Sequence, residues 1–415
     1  MDYKIIDGDV TSPMGFTAVG VCCPIKEGNT EKKDLAFIYA DDICNAAGIF
    51  TKNKVTSGAV KVSRLHLKDG KAQAIIANSY IANTCTVDSV EKADKMCELA
   101  AKTFNVDKEN VLVASTGKIG KILPIEAIEI GLEKMRGNLS KTGGMDAACA
   151  IMTTDTKSKH IAMEVEIDGK KVTTGIIAKG SGMIHINMGT MLSFATTDLC
   201  ISSDMLKEAL VEAADETYNM ITVDRDTSTN DTLLIMASGK AGNSEIKEKD
   251  ENYKKYVFAL TAVFKETAKK IAGDGEGATK LLMCSVENAK TKEDARKIAK
   301  SVVGSPLFKA AVQGADANWG RVLCSAGYSG GEFDPDKIDV YIKSRKGTVT
   351  VCKDGAGVEF SRDFATEILL EEEVEIIVDL KDGNEKAQGY GCDLTKEYVD
   401  INVSYEGWGY NGKLQ

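Results

Sequence analysis

Residues 179–194 constrain this chain more than any other segment, because a glycine-rich stretch almost without charge leads directly into a buried strand. After Thr190, residues 191–195 place apolar or small side chains on both faces, which predicts a strand inside the core. Gly189 precedes the threonine and has no Cβ. Its backbone can therefore adopt a strained conformation, and its carbonyl can be approached closely.

A hydroxyl at the first position of a core strand, preceded by glycine, suits a self-cleaving N-terminal nucleophile. Attack of Thr190 Oγ on the Gly189 carbonyl would turn the peptide into an ester, which water would then hydrolyse. The freed α-amine, with a reference pKa of about 8, would serve the same hydroxyl as a base. The alternative is a loop followed by an ordinary core strand. The spacing alone favours that alternative, because Gly-Thr pairs are common.

Length and charge narrow the classes of protein to which the chain can belong. Its 415 residues exceed one small core, so two or three structural units are expected. A hydrophobic share of 43% with 27% charged residues is typical of a soluble globular protein. The net charge of −10 argues against nucleic acid or an anionic membrane as partner. The charged N-terminus does not resemble a signal peptide, so we expect a cytoplasmic protein.

Cysteine and histidine usage bears on catalysis. The 11 cysteines, among them Cys97, Cys149, Cys284 and Cys324, show no CxxC spacing and are expected to be buried, reduced thiols. The 3 histidines are scattered, so neither a metal site nor a Ser-His-Asp triad is supported. An acyl-transfer enzyme with this composition must find its base elsewhere.

Hydrophobic periodicity predicts an α/β protein in which sheet layers are covered by helices. The Asp168-Gly169 pair predicts a tight hairpin over 163–177. The predicted strands are 36–39, 46–50, 72–77, 111–115, 232–236, 280–286, 338–342, 348–352, 374–380 and 398–405. The predicted helices are 90–104, 206–213, 253–271, 292–303 and 361–370.

Several polar segments each allow two interpretations. Thr116-Gly117 follows a strand and is either a plain turn or a source of oxyanion donors. Lys179 is either solvated or a partner for a substrate carboxylate. Residues 274–280 look superficially like a phosphate loop but lack its spacing, so the other interpretation is preferred, a glycine-rich turn that presents Glu276 to a substrate ammonium. Two segments remain open as well: 223–231 (a surface loop by default, or a pocket rim) and 314–321 (a packing corner or a carboxylate-binding corner).

Taken together, these segments resemble the glutamate N-acetyltransferases, also called ornithine acetyltransferases, of the ArgJ family. The resemblance extends from about residue 11 to residue 402. It is carried by 11–16, 46–53, 114–117, 151–156, 179–183, 187–192, 227–231, 274–280, 314–321 and 391–395.

The resemblance implies a fold and a set of site residues. The fold is that of the DmpA/ArgJ-like, self-processing, N-terminal-nucleophile-like proteins. Cleavage between Gly189 and Thr190 would give an α chain, 1–189, with the oxyanion-hole segment, and a β chain, 190–415, that begins with the nucleophile Thr190. Thr116 and Gly117 match the oxyanion-hole pair. The substrate-binding positions are Thr153, Thr156, Lys179, Thr190, Glu276 and Asn402, with the choice between Thr153 and Thr156 left open.

The implied activity is transfer of an acetyl group from N2-acetyl-L-ornithine to L-glutamate through an acetyl-threonine, with no metal or bound cofactor. Acetyl-CoA stays open as a co-substrate, which would make the enzyme bifunctional. The small-molecule substrates and an α2β2 heterotetramer complete the expectation. Two alternatives remain, a self-processing amidohydrolase or aminopeptidase of the same fold and an uncleaved, non-catalytic binding protein.

Three positions depart from the family pattern. His185-Ile186 stands where a small residue and proline are frequent, which changes the loop before the cleavage point. Tyr80-Ile81 replaces a Gly-Asn pair and alters a pocket wall. Gly407 stands where a Ser or Thr substrate contact is usual. The C-terminal substrate contact is therefore in doubt.

Overall fold

The structure is a computed structural model that describes residues 2–185 and 191–404, with the backbone only for Ser404. The described residues divide into two compact units. The first consists of the described parts of Met1–Gly180, Ile186–Asn219 and Thr227–Thr267. The second consists of those of Ser181–His185, Met220–Asp226 and Ala268–Gln415. These units do not coincide with the predicted division into 1–189 and 190–415, which concerns chain cleavage.

Strands and helices alternate along much of the chain. The strands are β1 Tyr3–Ile6, β2 Phe16–Val21, β3 Leu35–Phe50, β4 Lys71–Asn78, β5 Val111–Ser115, β6 Lys159–Ile167, β7 Lys170–Lys179, β8 Ile184–His185, β9 Leu192–Thr197, β10 Thr222–Thr227, β11 Thr232–Ala237, β12 Leu281–Ala289, β13 Asp339–Ser344, β14 Gly347–Lys353, β15 Ala356–Gly357, β16 Glu373–Asp379 and β17 Glu385–Cys392. The α-helices are α1 Gly58–His66, α2 Ser89–Phe104, α3 Ile125–Met135, α4 Gly144–Ala150, α5 Ser203–Glu216, α6 Glu251–Gly273, α7 Lys292–Val303, α8 Pro306–Gln313, α9 Trp319–Gly327, α10 Arg362–Leu369 and α11 Lys396–Ser404.

One mixed sheet forms the centre of the first unit. Its strand order is β1-β6-β7-β9-β11-β3-β4-β5, with β2 also paired to β3. Side chains alternate across the sheet, so Ile38 of β3 joins one hydrophobic cluster and Phe37 joins another. The first cluster contains alanines of α4, and the second contains residues of α1, α2 and α3. Helices therefore cover both faces, which confirms the predicted α/β layering for this unit.

The second unit has its own sheet, in the order β15-β14-β13-β16-β12-β17, and β8 pairs with β10 in a small separate ladder. Strands β12 and β16 run parallel, while β12 and β17 run antiparallel. Helix α7 packs closely on β17 at Gly389. A Cβ added at this glycine would lie 2.8 Å from the Ala299 carbonyl oxygen. The buried Ile298 and Val302 of this helix contribute to the core.

Most of the predicted elements are confirmed, including the hairpin, whose turn residues Asp168 and Gly169 have φ of 53° and 68°. The two segments 36–39 and 46–50 belong to the single strand β3. The prediction of a strand over 398–405 is wrong, because the structure has helix α11 there up to Ser404. The last strand of the described residues is instead β17, in which glycine and charged residues interrupt the hydrophobic alternation that predicts a strand.

All 11 cysteines are free thiols. Cys97 and Cys284 are buried as expected, whereas Cys149 is half-buried and Cys324 is exposed, which corrects the expectation for these two. Cys324 lies on α9, a helix that the sequence analysis did not predict. None of the described helices combines the length and the apolar composition that a membrane span requires.

Candidate active site

The Thr116-Gly117 turn closes the carboxyl end of β5. Gly117 has φ of 127°, and a Cβ there would lie 2.1 Å from the Tyr80 carbonyl carbon, so the turn requires glycine. The neighbouring N–H groups are used internally: that of Thr116 donates to the Asn78 carbonyl and that of Lys118 to the Tyr80 carbonyl. The Thr116 hydroxyl and the Gly117 N–H are therefore the groups of this turn that suit an oxyanion.

Lys179 ends strand β7, and its side chain is only 7% exposed. Its Nζ donates to Thr116 Oγ1 at 3.2 Å. The antiparallel register pairs Lys179 with Leu192 of β9, two residues after Thr190 in the sequence. The interpretation of Lys179 as a solvated side chain is therefore wrong, and a buried cation lies beside the start of the predicted core strand.

Asp155 organises the loop that carries the two candidate threonines. Its Oδ1 accepts hydrogen bonds from Lys159 Nζ at 2.6 Å and from the Gly180 N–H at 2.7 Å, and its Oδ2 accepts from the Thr153 N–H at 3.0 Å. Burial raises the pKa of this carboxyl, but the charges of Lys159 and Lys179 and these hydrogen bonds outweigh burial and lower it to about 2. Asp155 is therefore ionised at neutral pH.

This network distinguishes the two candidate threonines. The backbone of Thr153 is held by Asp155, while Thr156 is exposed. Both remain predicted substrate contacts, and the backbone of Thr153 takes part in the hydrogen-bond network around Asp155. Residue types alone did not single out Asp155, although it lies inside the 151–156 segment. The signal was an acidic residue four positions before Lys159 at the entry to a buried strand.

Residues 229–231 lie against the segments that lead into the Thr116-Gly117 turn, through hydrogen bonds of Asn230. Asn230 Nδ2 donates to the carbonyl oxygens of Ala82 at 2.5 Å and Ser115 at 2.8 Å, and its Oδ1 accepts from Thr84. The default interpretation of this part of the chain as a surface loop is therefore wrong, because Thr229, Asn230 and Asp231 are buried. Asn230 among them holds the carbonyl of Ser115, the residue that directly precedes Thr116.

Asp231 is the second buried carboxyl of this group. Burial raises its pKa well above the usual value, despite the opposing effects of Ser228, Thr51, Lys179 and the backbone of Met191. Among the residues that the structure describes, none donates a hydrogen bond to its Oδ2. A buried carboxyl with a raised pKa therefore lies close to the residue that follows Thr190.

In the second unit, Glu276 and Asn402 lie together. Glu276 Oε2 accepts from Asn402 Nδ2 at 2.8 Å, and the Glu276 N–H donates to the Ser181 carbonyl at 3.1 Å. A Cβ at Gly182 would lie 2.3 Å from the Glu276 carboxyl, so a larger residue there would displace this carboxyl. Helix α11 presents Asn402, whose side chain also donates to the Tyr398 carbonyl one turn earlier.

The remaining predictions concern the cleavage site, the 314–321 segment and metal binding. Gly189 and Thr190 lie outside the described residues. In the 314–321 segment, Trp319 packs against Gly357, and the Arg321 guanidinium donates to the Leu307 carbonyl at 2.7 Å. This segment therefore forms a packing corner. Within 2–185 and 191–404, no group of three or more His, Cys, Asp or Glu side chains is placed to hold a metal ion.

The sequence matches a known protein family over most of its length. The ArgJ family model matches residues 17–407. The arginine biosynthesis bifunctional protein ArgJ of Caldanaerobacter subterraneus subsp. tengcongensis is 48% identical over 403 residues, which cover 97% of this chain and 99% of that protein. That of Thermotoga neapolitana is 48% identical over 396 residues, 95% of this chain and 99% of that protein.

A solved ArgJ chain from Bacillus halodurans aligns over 51% of this chain and 98% of its own, at 43% identity and a TM-score of 0.49. The fold and the buried polar site define a layered α/β enzyme. The match over nearly the full length then gives the particular group: this chain belongs to the ArgJ family. The resemblance drawn from the motifs is confirmed.

Proposed function

We propose that this chain is an N-acetyltransferase of arginine biosynthesis that moves an acetyl group from N2-acetyl-L-ornithine to L-glutamate. The observation that carries the proposal is the contact between Lys179 Nζ and Thr116 Oγ1 at 3.2 Å, in a member of the ArgJ family. It joins a buried cation to the hydroxyl that the oxyanion role requires. The β7–β9 register, which pairs Lys179 with Leu192, supports a role for this cation near Thr190.

In the first half-reaction, Thr190 Oγ attacks the acetamide carbonyl while the α-amine of Thr190, freed by cleavage after Gly189, takes the hydroxyl proton. The Thr116 hydroxyl and the Gly117 N–H donate to the developing oxyanion, and each donor lowers the barrier by roughly 3 kcal/mol. The C–N bond then breaks, the proton passes to the leaving amine, and ornithine departs. An acetyl ester remains on Thr190.

In the second half-reaction, the amine of glutamate attacks the ester carbonyl and the same donors stabilise the second oxyanion. The C–O bond breaks, and Thr190 recovers its proton from the attacking amine. Lys179 supplies a cation for a substrate carboxylate. Glu276, oriented by the hydrogen bond from Asn402, supplies a carboxylate for the ornithine ammonium, and Thr153 or Thr156 adds a substrate contact.

The proposal extends to composition and assembly. The chemistry uses groups of the protein and its small-molecule substrates, without a metal or bound cofactor, and acetyl-CoA is a candidate second acetyl donor. Cleavage would yield the chains 1–189 and 190–415, which would associate as an α2β2 heterotetramer in the cytoplasm. The names of the relatives as bifunctional proteins support the second donor.

The direct test supplies purified protein with acetylornithine or acetyl-CoA, each with and without glutamate. Acetylglutamate formed from acetylornithine, with one ornithine released per acetyl group, is the expected result. Release of free acetate at the same rate without glutamate would instead indicate an amidohydrolase. A chain that stays intact and transfers nothing would indicate a binding protein.

A further inference from the structure

Lys32 lies in the loop before β3, and its side chain contacts residues next to the candidate active site. The mechanism above gives it no role. Its Nζ donates to the Thr153 carbonyl at 3.0 Å and lies 5.1 Å from the centre of the Tyr80 ring. Lys26 approaches the same ring, at 5.7 Å. Cation–π contact of this kind holds an ammonium in place while leaving its other N–H groups available.

Both anchors of Lys32 are tied to the candidate active site within the first unit. The Thr153 N–H is bound to Asp155, which also holds the N–H of Gly180, the residue after Lys179. The backbone of Tyr80 lies against Gly117. Lys32 Nζ is therefore linked through Thr153 and Asp155 to the Lys179 segment, and through Tyr80 to the oxyanion turn.

The charge of Lys32 is not neutralised by a direct partner. Among the residues that the structure describes, Lys32 forms no ion pair with a carboxylate, and its hydrogen bond goes to a neutral carbonyl. Burial, and then Lys179 and Lys26, lower the pKa of its ammonium, although Asp155 and Asp34 oppose them. Lys179 and Lys26 repel this half-buried cation, and an anionic ligand would relieve that repulsion.

The substrates differ in the end of the side chain. Both amino acids carry one α-carboxylate, and the mechanism above assigns Lys179 to a substrate carboxylate. Glutamate carries a second carboxylate, whereas ornithine ends in an ammonium that a lysine would repel. A second cation beside Lys179 therefore has a role only with the acidic acceptor.

We propose that Lys32 binds the side-chain carboxylate of the acceptor and, together with Lys179, selects a dicarboxylic amino acid over acceptors with a neutral or cationic end. This inference rests on the proposed function, because it assigns the acceptor part of the same site. Lys32 is a specificity-determining residue, and the first half-reaction does not require it.

The test replaces Lys32 with methionine, which keeps an unbranched stem over Tyr80 and removes the charge. With acetylornithine as donor, kcat/KM is measured for glutamate and for glutamine, which has the same shape and no side-chain charge. Loss of a charge-assisted hydrogen bond predicts a fall of about 10- to 100-fold for glutamate. The value for glutamine should change by less than about 3-fold, because an uncharged amide gains little from the lysine. The ratio of the two acceptors is independent of the fraction of active enzyme.

Two further variants make the outcome decisive. Lys32→Arg should retain the preference for glutamate, because the cation is kept. Lys33→Met removes the neighbouring lysine, which pairs with Asp146 at the surface, and should leave the ratio unchanged. Ornithine release in the first half-reaction should persist in Lys32→Met.

An equal loss for both acceptors, or an unchanged preference for glutamate in Lys32→Met, would overturn the role of Lys32. Failure of the unmodified enzyme to release ornithine from acetylornithine would overturn the proposed function instead.

Discussion

Replacement of Asp155 by asparagine removes the buried charge that holds three donors together. The lowering of its pKa from 3.8 to about 2 corresponds to roughly 2–3 kcal/mol of stabilisation of the ionised form. Lys159, only 2% exposed, would lose its carboxylate partner, and removal of one partner from a buried pair costs about 3–5 kcal/mol. We therefore expect Asp155→Asn to destabilise the protein by about 2–5 kcal/mol.

Thermal unfolding measures this loss. At about 2.1 cal/mol/K per residue, 415 residues unfold with an entropy of about 0.9 kcal/mol/K, so the melting temperature should fall by roughly 2–6 °C. A folded-state pKa below the unfolded value stabilises the protein above the unfolded pKa, and this contribution disappears as pH falls from about 4 through about 2. The difference between the two proteins should therefore shrink in acid.

Asp146→Asn is the matched control, because Asp146 pairs with Lys33 where both side chains are partly exposed. Its expected effect is below about 1 kcal/mol. Equal effects of the two substitutions, or a difference between Asp155→Asn and the unmodified protein that grows in acid, would refute the reasoning.

Two other substitutions test separate parts of the site. Glu276→Gln should lower kcat/KM for acetylornithine by roughly 10- to 100-fold through loss of a charged partner for the ammonium; unchanged kinetics with this donor would remove that role. Asp231→Asn replaces a carboxyl whose pKa burial raises above its unfolded value, so the unmodified protein should lose stability relative to the variant as pH rises above about 4. Melting temperatures measured from acid to neutral pH check this sign, and a variant that becomes relatively less stable with rising pH would contradict it.

Local patterns predicted the elements that local chemistry decides. The Asp168-Gly169 pair supplies the two positive φ values of a tight hairpin, and the alternation in residues 191–195 corresponds to a strand buried throughout. Strand β17 was missed, because Gly389 and Gly391 serve its close packing on α7 and leave no hydrophobic pattern. Residues 398–405 were assigned the wrong period, because alternating polar and apolar side chains in a short segment suit a strand as well as a helix end.

The candidate site was predictable only in part. Motifs pointed to Thr116, Gly117, Lys179 and Glu276 one at a time, but the contact between Lys179 and Thr116 depends on strands 63 positions apart in sequence. The roles of Asp155, Asp231 and Lys32 depend on burial and on which charges lie nearby. Burial and the set of neighbouring charges both result from long-range packing, so they cannot be predicted from residue type or spacing.

The most direct test of the account is intact-mass spectrometry of active enzyme after incubation with acetylornithine. The account predicts two chains, 1–189 and 190–415, with one acetyl group carried by Thr190 on the second, and a single uncut chain for Thr190→Ala. Active protein consisting of one unbroken chain, or an acetyl group on any other side chain, would contradict it.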